Sequence, residues 1–193
     1  MYLPDGSSWL RVFYHNNHSG SVLFESAAEA QFASKADKYS RLCFLENFRG
    51  VDGKFEFLLT YPGISGYNRW KQTSNPCTEY LGTSNGALNA TGYEAISISW
   101  SGMYWGGLTQ QNSLPATKAS CFISGSVGHS NWYYAIGSYE AWGGAIPGCD
   151  QNTGVQEVEL WVRADTLSTG MTLKIMSYLA LREIVSAKDF VEI

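Results

Sequence analysis

Short segments in which apolar and polar residues alternate recur along most of the chain. Residues 9–15 read WLRVFYH and predict a strand, and a polar run at 16–20 separates them from a second predicted strand at 22–25. Alternation with a period of two is typical of a strand that has one buried and one exposed face. The two segments therefore predict a β-hairpin with a loop of several residues.

The clearest predicted hairpin follows at 41–61. Residues 41–48 alternate, the sequence GVDG at 50–53 predicts a turn, and residues 54–61 alternate again. Glu56 falls on the opposite face of its strand and should be exposed. The side chains expected to face the core are Leu42, Phe44, Phe48, Phe55, Phe57 and Leu59.

One segment has helical rather than strand character. Ser26 and Glu29 have the spacing of a capping box, and the residues after them are rich in alanine and other helix formers. This pattern predicts one short α-helix at 26–38.

The second half of the chain predicts strands joined by glycine-rich turns. Val158, Leu160 and Val162 should face inward, whereas Trp161 lies among charged residues on the polar face. The strands predicted in this half are 96–100, 121–124, 132–136, 155–163 and 171–182.

Many short strands and a single helix favour an all-β fold, a jelly-roll-like β-sandwich. We divide the chain into an N-terminal arm with a hairpin and the helix at 1–40 and a sandwich binding domain at 41–193, packed as one unit. Between 62 and 95, abundant turn formers predict long loops around one or two short strands.

Composition narrows the function classes. The chain of 193 residues has 15% aromatic residues and a net charge of −4, and its Lys and Arg residues form no cluster longer than an isolated pair. A nucleic-acid partner is disfavoured because such proteins neutralise phosphates with clustered cations. No apolar run approaches the length of a membrane span, and the first ten residues lack the features of a secretory signal, so neither membrane insertion nor export is expected.

The cysteines give no indication of a metal site. Cys43, Cys77, Cys121 and Cys149 lack zinc-site spacing, and we expect free thiols and no bound metal. A disulfide between Cys77 and Cys149 is the alternative, because both lie in turn-rich segments.

Motifs for catalysis are missing from the sequence. His15, His18 and His129 accompany no nucleophile elbow, phosphate-binding loop or metalloprotease helix. Carboxylates such as Glu94 and Asp150 are explained more simply as solvated surface groups than as a glycosidase pair. We therefore expect a protein that is not an enzyme and needs no cofactor.

Aromatic residues grouped with amides, hydroxyls and glycines predict a recognition site. Sugars stack their C–H faces on flat rings while their hydroxyls bond to polar side chains. The loop around residue 70 and the turn at 104–105 should form one shallow site, with additional rings near 133 and 142. The candidate ligand-binding residues are Trp70, Lys71, Gln72, Asn75, Tyr104, Trp105, Tyr133 and Trp142.

Packing is the alternative role for these rings. For any single aromatic side chain of this sequence, filling the core or bracing a glycine-rich turn is favoured over ligand contact. Two interpretations also apply to Trp161, since a ring on a polar face is either exposed to solvent or forms a contact between subunits.

The segments FRGVDGKFEF at 48–57, NRWKQTSNP at 68–76, WYYAIG at 132–137 and VELWVR at 158–163 resemble modules of tail-fibre or receptor-binding proteins from phages and prophages of gut bacteria. This resemblance implies a compact β-domain at the tip of a fibre, a homo-oligomer with a trimer preferred. It also implies a virion protein that assembles in the host cytoplasm.

The expected function is therefore non-catalytic attachment to a host surface, with a cell-surface glycan or receptor as the partner. A structural decoration or baseplate protein of a viral particle is the first alternative. A glycan-degrading enzyme is the second.

Overall fold

Ten strands and two short helices form the described part of the chain. The computed structural model describes residues 5–16, 24, 26–63, 66–79, 89–98, 105–110, 123–125, 133–136 and 157–164. The helices are α1 (Ala27–Gln31) and a 3-10 helix (Leu42–Phe48). The strands are β1 (Trp9–Asn16), β2 (Ala33–Ser34), β3 (Lys38–Ser40), β4 (Phe55–Thr60), β5 (Asn68–Gln72), β6 (Glu94–Ser97), β7 (Leu108–Gln110), β8 (Ile123–Gly125), β9 (Tyr133–Ile136) and β10 (Glu157–Arg163).

The strands form two antiparallel sheets. Seven strands have the order β2-β3-β1-β10-β4-β5-β6, and β7, β8 and β9 form a separate three-stranded sheet. The predicted all-β class is confirmed, and the jelly-roll-like sandwich stays a prediction. The predicted strand at 171–182, like Cys121 and Cys149, lies outside the described residues.

Strand β10 lies at the centre of the larger sheet, between β1 and β4. Its alternation is the predicted one: Val158, Leu160 and Val162 are fully buried, whereas Trp161 and the charged residues beside it are half-buried. We call the side of the sheet that carries Val158 the inner face and the side that carries Trp161 the outer face. The inner face supplies the apolar core.

Strand β4 is buried on both of its faces. Phe55, Phe57 and Leu59 are fully buried, as predicted, but Glu56 and Leu58 on the outer face are buried as well. The expectation of an exposed Glu56 is wrong because β4 lies between β10 and β5, whose long side chains flank it across the outer face.

Residues 42–48 form a 3-10 helix and not the predicted strand. Leu42, Leu45 and Phe48 are buried, and this spacing of three residues places them on one side of a helix with three residues per turn. The predicted inward Phe44 is only partly buried. A period of two and a period of three share Leu42 and Phe48, so the sequence pattern alone could not separate them.

The helix is shorter than predicted. Ser26 caps it by accepting a hydrogen bond from the Glu29 N–H at 3.2 Å, as the capping-box spacing implies, but the helix ends at Gln31. Residues 38–40 instead form β3, which pairs with β1. Tertiary pairing overrides the helix propensity here, because the Ala30 carbonyl accepts a hydrogen bond from the Ser40 hydroxyl.

The predicted N-terminal arm is part of the larger sheet. Strand β1 pairs with β10 on one side and with β3 on the other, so the described partners of β1 do not include residues 22–25 of the predicted hairpin. Of that segment, only Phe24 is described, and it is fully buried against Phe13. Strands β1, β2 and β3 of the predicted arm therefore belong to the same sheet as β4, β5, β6 and β10, and the division at residue 40 stays a prediction.

His15 is a titratable side chain in the core. It lies on β1 between Lys38 of β3 and Val158 of β10, and its ring stands edge-on to Phe13 at 5.5 Å. Both of its ring nitrogens are buried and have no hydrogen-bond partner among the described residues. Burial lowers the pKa of His15 to about 3, since a charged imidazolium would lose its hydration.

We predict that His15 makes the fold sensitive to mild acid. The unfolded chain takes up a proton near pH 6.5 and the folded chain does not, so stability is complete above that pH and falls as the pH drops below it. Lowering the pH from 6.5 to 5.5 should reduce the free energy of unfolding by about 1 kcal/mol. Denaturant titrations at pH 7.5, 6.5 and 5.5 measure this change, and the His15→Leu variant should lack it. An equal pH slope in both proteins would contradict the prediction.

Glu56 provides a second test of the fold, because its carboxylate is buried between two arginines. One oxygen accepts from Arg69 and the other accepts from Arg163 at 3.0 Å. Glu56→Gln should lower the free energy of unfolding by about 3 kcal/mol, since it removes the buried anion that Arg163 and Arg69 share and leaves Arg69 with Asp5 alone. The control is Glu159→Gln, which removes the more exposed ion pair with Arg11 and should cost less than about 1 kcal/mol. Equal losses in denaturant titrations would contradict the prediction.

Candidate functional site

The two central aromatic residues of the predicted site belong to the core. Trp70 lies in β5 with 0% of its surface exposed, and Trp105 is 5% exposed. The Trp70 ring packs against Phe57 at 5.6 Å and edge-on against Trp105 at 5.2 Å. The prediction of an open stacking surface at these rings is therefore wrong. The packing alternative holds for both, because Trp70 occupies an inward position of β5 and Trp105 packs against its ring.

Gln72 is a buried connection between the two sheets. Its side-chain amide donates to the Leu108 carbonyl and its oxygen accepts from the Leu108 N–H, both at 2.9 Å. The same oxygen accepts from the Trp70 indole N–H, and the amide also donates to the Ser74 carbonyl. Gln72 is fully buried and its hydrogen bonds lie within the protein, so its predicted role as a ligand contact is wrong.

Asn75 organises a turn. Its Oδ1 accepts from the Cys77 N–H at 2.9 Å, and its Nδ2 donates to Glu46 at 2.7 Å. Such an Asx turn is a local structural role. Asn75 is not among the residues that line the concavity described next.

Among the predicted site residues whose side chains the structure describes, Lys71 lines a cavity. It lies on the outer face of β5 between the inward-facing Trp70 and Gln72, and its Nζ contacts an Asp52 oxygen at 2.8 Å. The cavity has a volume of about 210 Å³, and we call it the charged concavity. Its lining residues are Phe48, Gly50, Val51, Asp52, Lys54, Glu56, Lys71 and Arg163.

The turn at 50–53 forms one wall of the charged concavity. The Gly50 N–H donates to the Lys54 carbonyl at 2.8 Å, and Gly53 adopts a left-handed backbone with φ of +75°. Asp52 accepts from the Lys54 N–H at 3.1 Å, which fixes its carboxylate toward Lys71. Arg49 holds the turn from outside by donating to the Gly53 carbonyl and stacking on Phe55 at 4.1 Å. The wall is therefore rigid.

The floor of the charged concavity rests on Glu56. Its two oxygens hold Arg163 of β10 and Arg69 of β5, so three neighbouring strands are joined at one carboxylate. Arg69 also pairs with Asp5 at 2.9 Å and lies over the Trp9 ring at 5.3 Å. Hydrogen bonds from Ser7 and Arg69 lower the pKa of Asp5 to about 2, so this end of the network stays anionic.

The charges around the concavity are balanced. The hydrogen bond from Lys71 lowers the pKa of Asp52, and the same contact raises the pKa of Lys71, so both side chains are charged at neutral pH. Lys54 pairs with Glu94 at 3.0 Å. Each cation thus has a carboxylate beside it, and the site presents hydrogen-bond donors and acceptors as close pairs.

A second group of side chains lies on the outer face, and we call it the ring cluster. Arg11 of β1 lies 5.0 Å from the ring centre of Tyr14, 5.5 Å from that of Tyr39 and 5.9 Å from that of Trp161. Its guanidinium also pairs with Glu159 at 2.8 Å. All three rings are half-buried, so the prediction of an outward Trp161 is confirmed in direction but the ring is not fully exposed.

The sequence contained signals for part of this arrangement. GVDG predicts the turn that carries Asp52, and the alternation of β10 places Arg163 on the polar face. The sequence did not indicate that Asp52 and Arg163 line the same cavity as Lys71, because their proximity depends on the register between β4, β5 and β10. Arg11, Tyr39 and Trp161 are far apart in sequence for the same reason.

The side chains of three other candidate residues are not described by the structure. Tyr104 and Trp142 are not among the described residues, and Tyr133 lies in β9 without a described side chain. Cys77 is a free thiol, as predicted, whereas Cys149, its partner in the alternative disulfide, lies outside the described residues. Cys77 is buried, and burial raises its pKa far above the usual range.

The described residues contain no group of three or more His, Cys, Asp or Glu side chains arranged to hold a metal ion. None of the helices placed by the structure combines the length and apolarity needed to cross a membrane.

Comparison of the chain with protein-family models, with curated proteins and with solved structures finds no match in any of the three. Its function therefore has to follow from the chemistry of the site.

Proposed function

We propose that this protein is a non-catalytic attachment module that binds a cell-surface glycan, as part of a phage or prophage fibre. The observation that carries the proposal is the charged concavity, where Lys71 with Asp52 and Arg163 with Glu56 place a donor next to an acceptor. A sugar hydroxyl both donates and accepts a hydrogen bond, so neighbouring hydroxyls match such pairs.

The balance of charge supports a neutral sugar over a free anion. An anion entering the concavity would meet the cations Lys54, Lys71 and Arg163 but also the carboxylates of Asp52 and Glu56. The aliphatic stems of the lysines and the Phe48 ring supply apolar surface for the C–H groups of a sugar. At about 210 Å³ the cavity lies below the ~300–1,000 Å³ of typical small-molecule pockets, which suits one unit of a larger glycan.

The state of the carboxylates supports binding without turnover. A glycosidase needs one carboxylic acid with a raised pKa to protonate the leaving group. Lys71 lowers the pKa of Asp52, and both oxygens of Glu56 are taken up by arginines. Asp52 is therefore not poised to donate a proton near neutral pH.

A shallow site of this kind binds weakly as a single copy. We propose that several copies in a homo-oligomer, with a trimer preferred, act together on a surface that presents many glycans. This assembly belongs to the attachment role at a fibre tip.

We predict that Lys71→Met removes glycan binding while the fold persists. Methionine keeps an apolar stem of similar length but loses the ammonium that pairs with Asp52, so affinity for a glycan found on an array should fall at least ~10-fold. The melting temperature should change by less than about 3 °C, because this pair is partly exposed. Calorimetric titration and thermal unfolding measure the two effects.

The control is Lys35→Met, which removes a more exposed ammonium that pairs with Glu29 beyond the concavity and should leave affinity unchanged. Raising the salt concentration should weaken binding of a neutral glycan by less than about 3-fold, whereas an anionic ligand would lose more. Absence of binding to every glycan on the array, or full binding by Lys71→Met, would reject the proposal.

A further inference from the structure

We infer that the charged concavity and the ring cluster are two subsites of one surface, and that its ligand is an oligosaccharide lying across the outer face. This inference rests on the proposed function and adds the size and course of the ligand. It also gives the half-buried rings around Arg11 a role in binding, which the buried Trp70 and Trp105 cannot have.

The two subsites share a strand. Arg163 lines the concavity and Trp161 belongs to the ring cluster, and both lie on the outer face of β10 two residues apart. That spacing corresponds to about 7 Å along a strand. Arg11 lies directly opposite Trp161 in the register between β1 and β10, so the ring cluster continues sideways from the same point. A short oligosaccharide spans this distance.

The ring cluster offers the two kinds of contact that a sugar uses. Tyr14, Tyr39 and Trp161 present partly exposed aromatic surface, and Arg11 with Glu159 again forms a donor next to an acceptor. The three rings and the carboxylate hold the guanidinium in place before any ligand arrives. Side chains fixed in this way lose little freedom on binding.

Trp161 carries an additional sign of a role beyond folding. Its indole N–H is buried and has no hydrogen-bond partner in the described part of the chain. An unpaired buried donor is unfavourable, and a ligand oxygen at this position would supply the missing acceptor. A small rotation of the ring toward a ligand oxygen would satisfy the donor.

A second copy of this chain is the competing occupant of the ring cluster, since Trp, Tyr and Arg also dominate protein interfaces. Continuity with the concavity favours the oligosaccharide. The same strand face leads from the polar pairs at Arg163 to the rings without a change of sheet, and the repeated pairing of a cation with a carboxylate suits a chain of similar units.

The test is a series of fragments of one glycan identified on the array, from a single unit to at least four units, titrated by calorimetry into the whole chain. In the wild type, affinity should rise at least ~10-fold from the shortest to the longest fragment. Trp161→Ala should reduce this rise to less than about 3-fold while binding of the shortest fragment stays unchanged. Trp161→Phe, which keeps a ring, should restore part of the rise, and Lys71→Met should weaken every fragment.

Ile96→Ala removes an exposed side chain of β6 and serves as the control, with the full length dependence expected. Binding of the single unit without any gain from longer fragments would overturn the two-subsite inference and leave the proposed function intact. Absence of binding by all fragments would instead reject the proposed function. Light scattering of each variant gives the third outcome: if Trp161→Ala reduces the oligomer mass and leaves the length dependence unchanged, the ring cluster is a subunit contact and the inference is wrong.

Discussion

The buried carboxylate of Glu56 determines how the centre of the larger sheet is assembled. Removing a carboxylate from water is costly, and here two guanidinium groups offset that cost by taking one oxygen each. Because Arg69 and Arg163 belong to the strands on either side of β4, the arrangement is complete only when β5, β4 and β10 are in their native register. The interaction therefore stabilises the fold and also fixes the floor of the charged concavity.

The inner face of the same strands carries buried side chains that connect the two sheets. Gln72 and Trp70 point inward, where the glutamine side chain pairs with the backbone of Leu108 and links the larger sheet to β7. Lys71, one position from each, points outward into the concavity. A single strand thus separates a buried polar network from the charged concavity. The sequence pattern places residues 68–72 in a loop, and a loop does not predict that neighbouring side chains alternate between two faces. The strand β5 does.

Sequence patterns predicted the structure correctly where only one type of element fits the pattern. The alternation of β10 and the inward Phe55, Phe57 and Leu59 followed from a period of two, and the GVDG turn followed from its glycines. The segment 42–48 satisfied both a period of two and a period of three, so its helix was missed. The sites required knowledge of register, since Arg11, Lys71 and Trp161 come together through strand pairing over long sequence distances. Aromatic enrichment of the sequence could not distinguish the buried Trp70 from the half-buried Trp161.

Paired charges on a rigid sheet have a consequence for recognition. Each cation described in the charged concavity and the ring cluster already has a carboxylate partner, so these groups exert little net attraction on distant charges and gain little from electrostatic steering. In the proposed binding role, selectivity would come from short-range hydrogen bonds and ring contacts that are fixed in position before binding. Contacts of this type are individually weak, and their sum grows with the number of ligand units engaged and with the number of copies presented together. An extended glycan on a crowded surface, met by an oligomer, satisfies both conditions, whereas a small soluble anion satisfies neither.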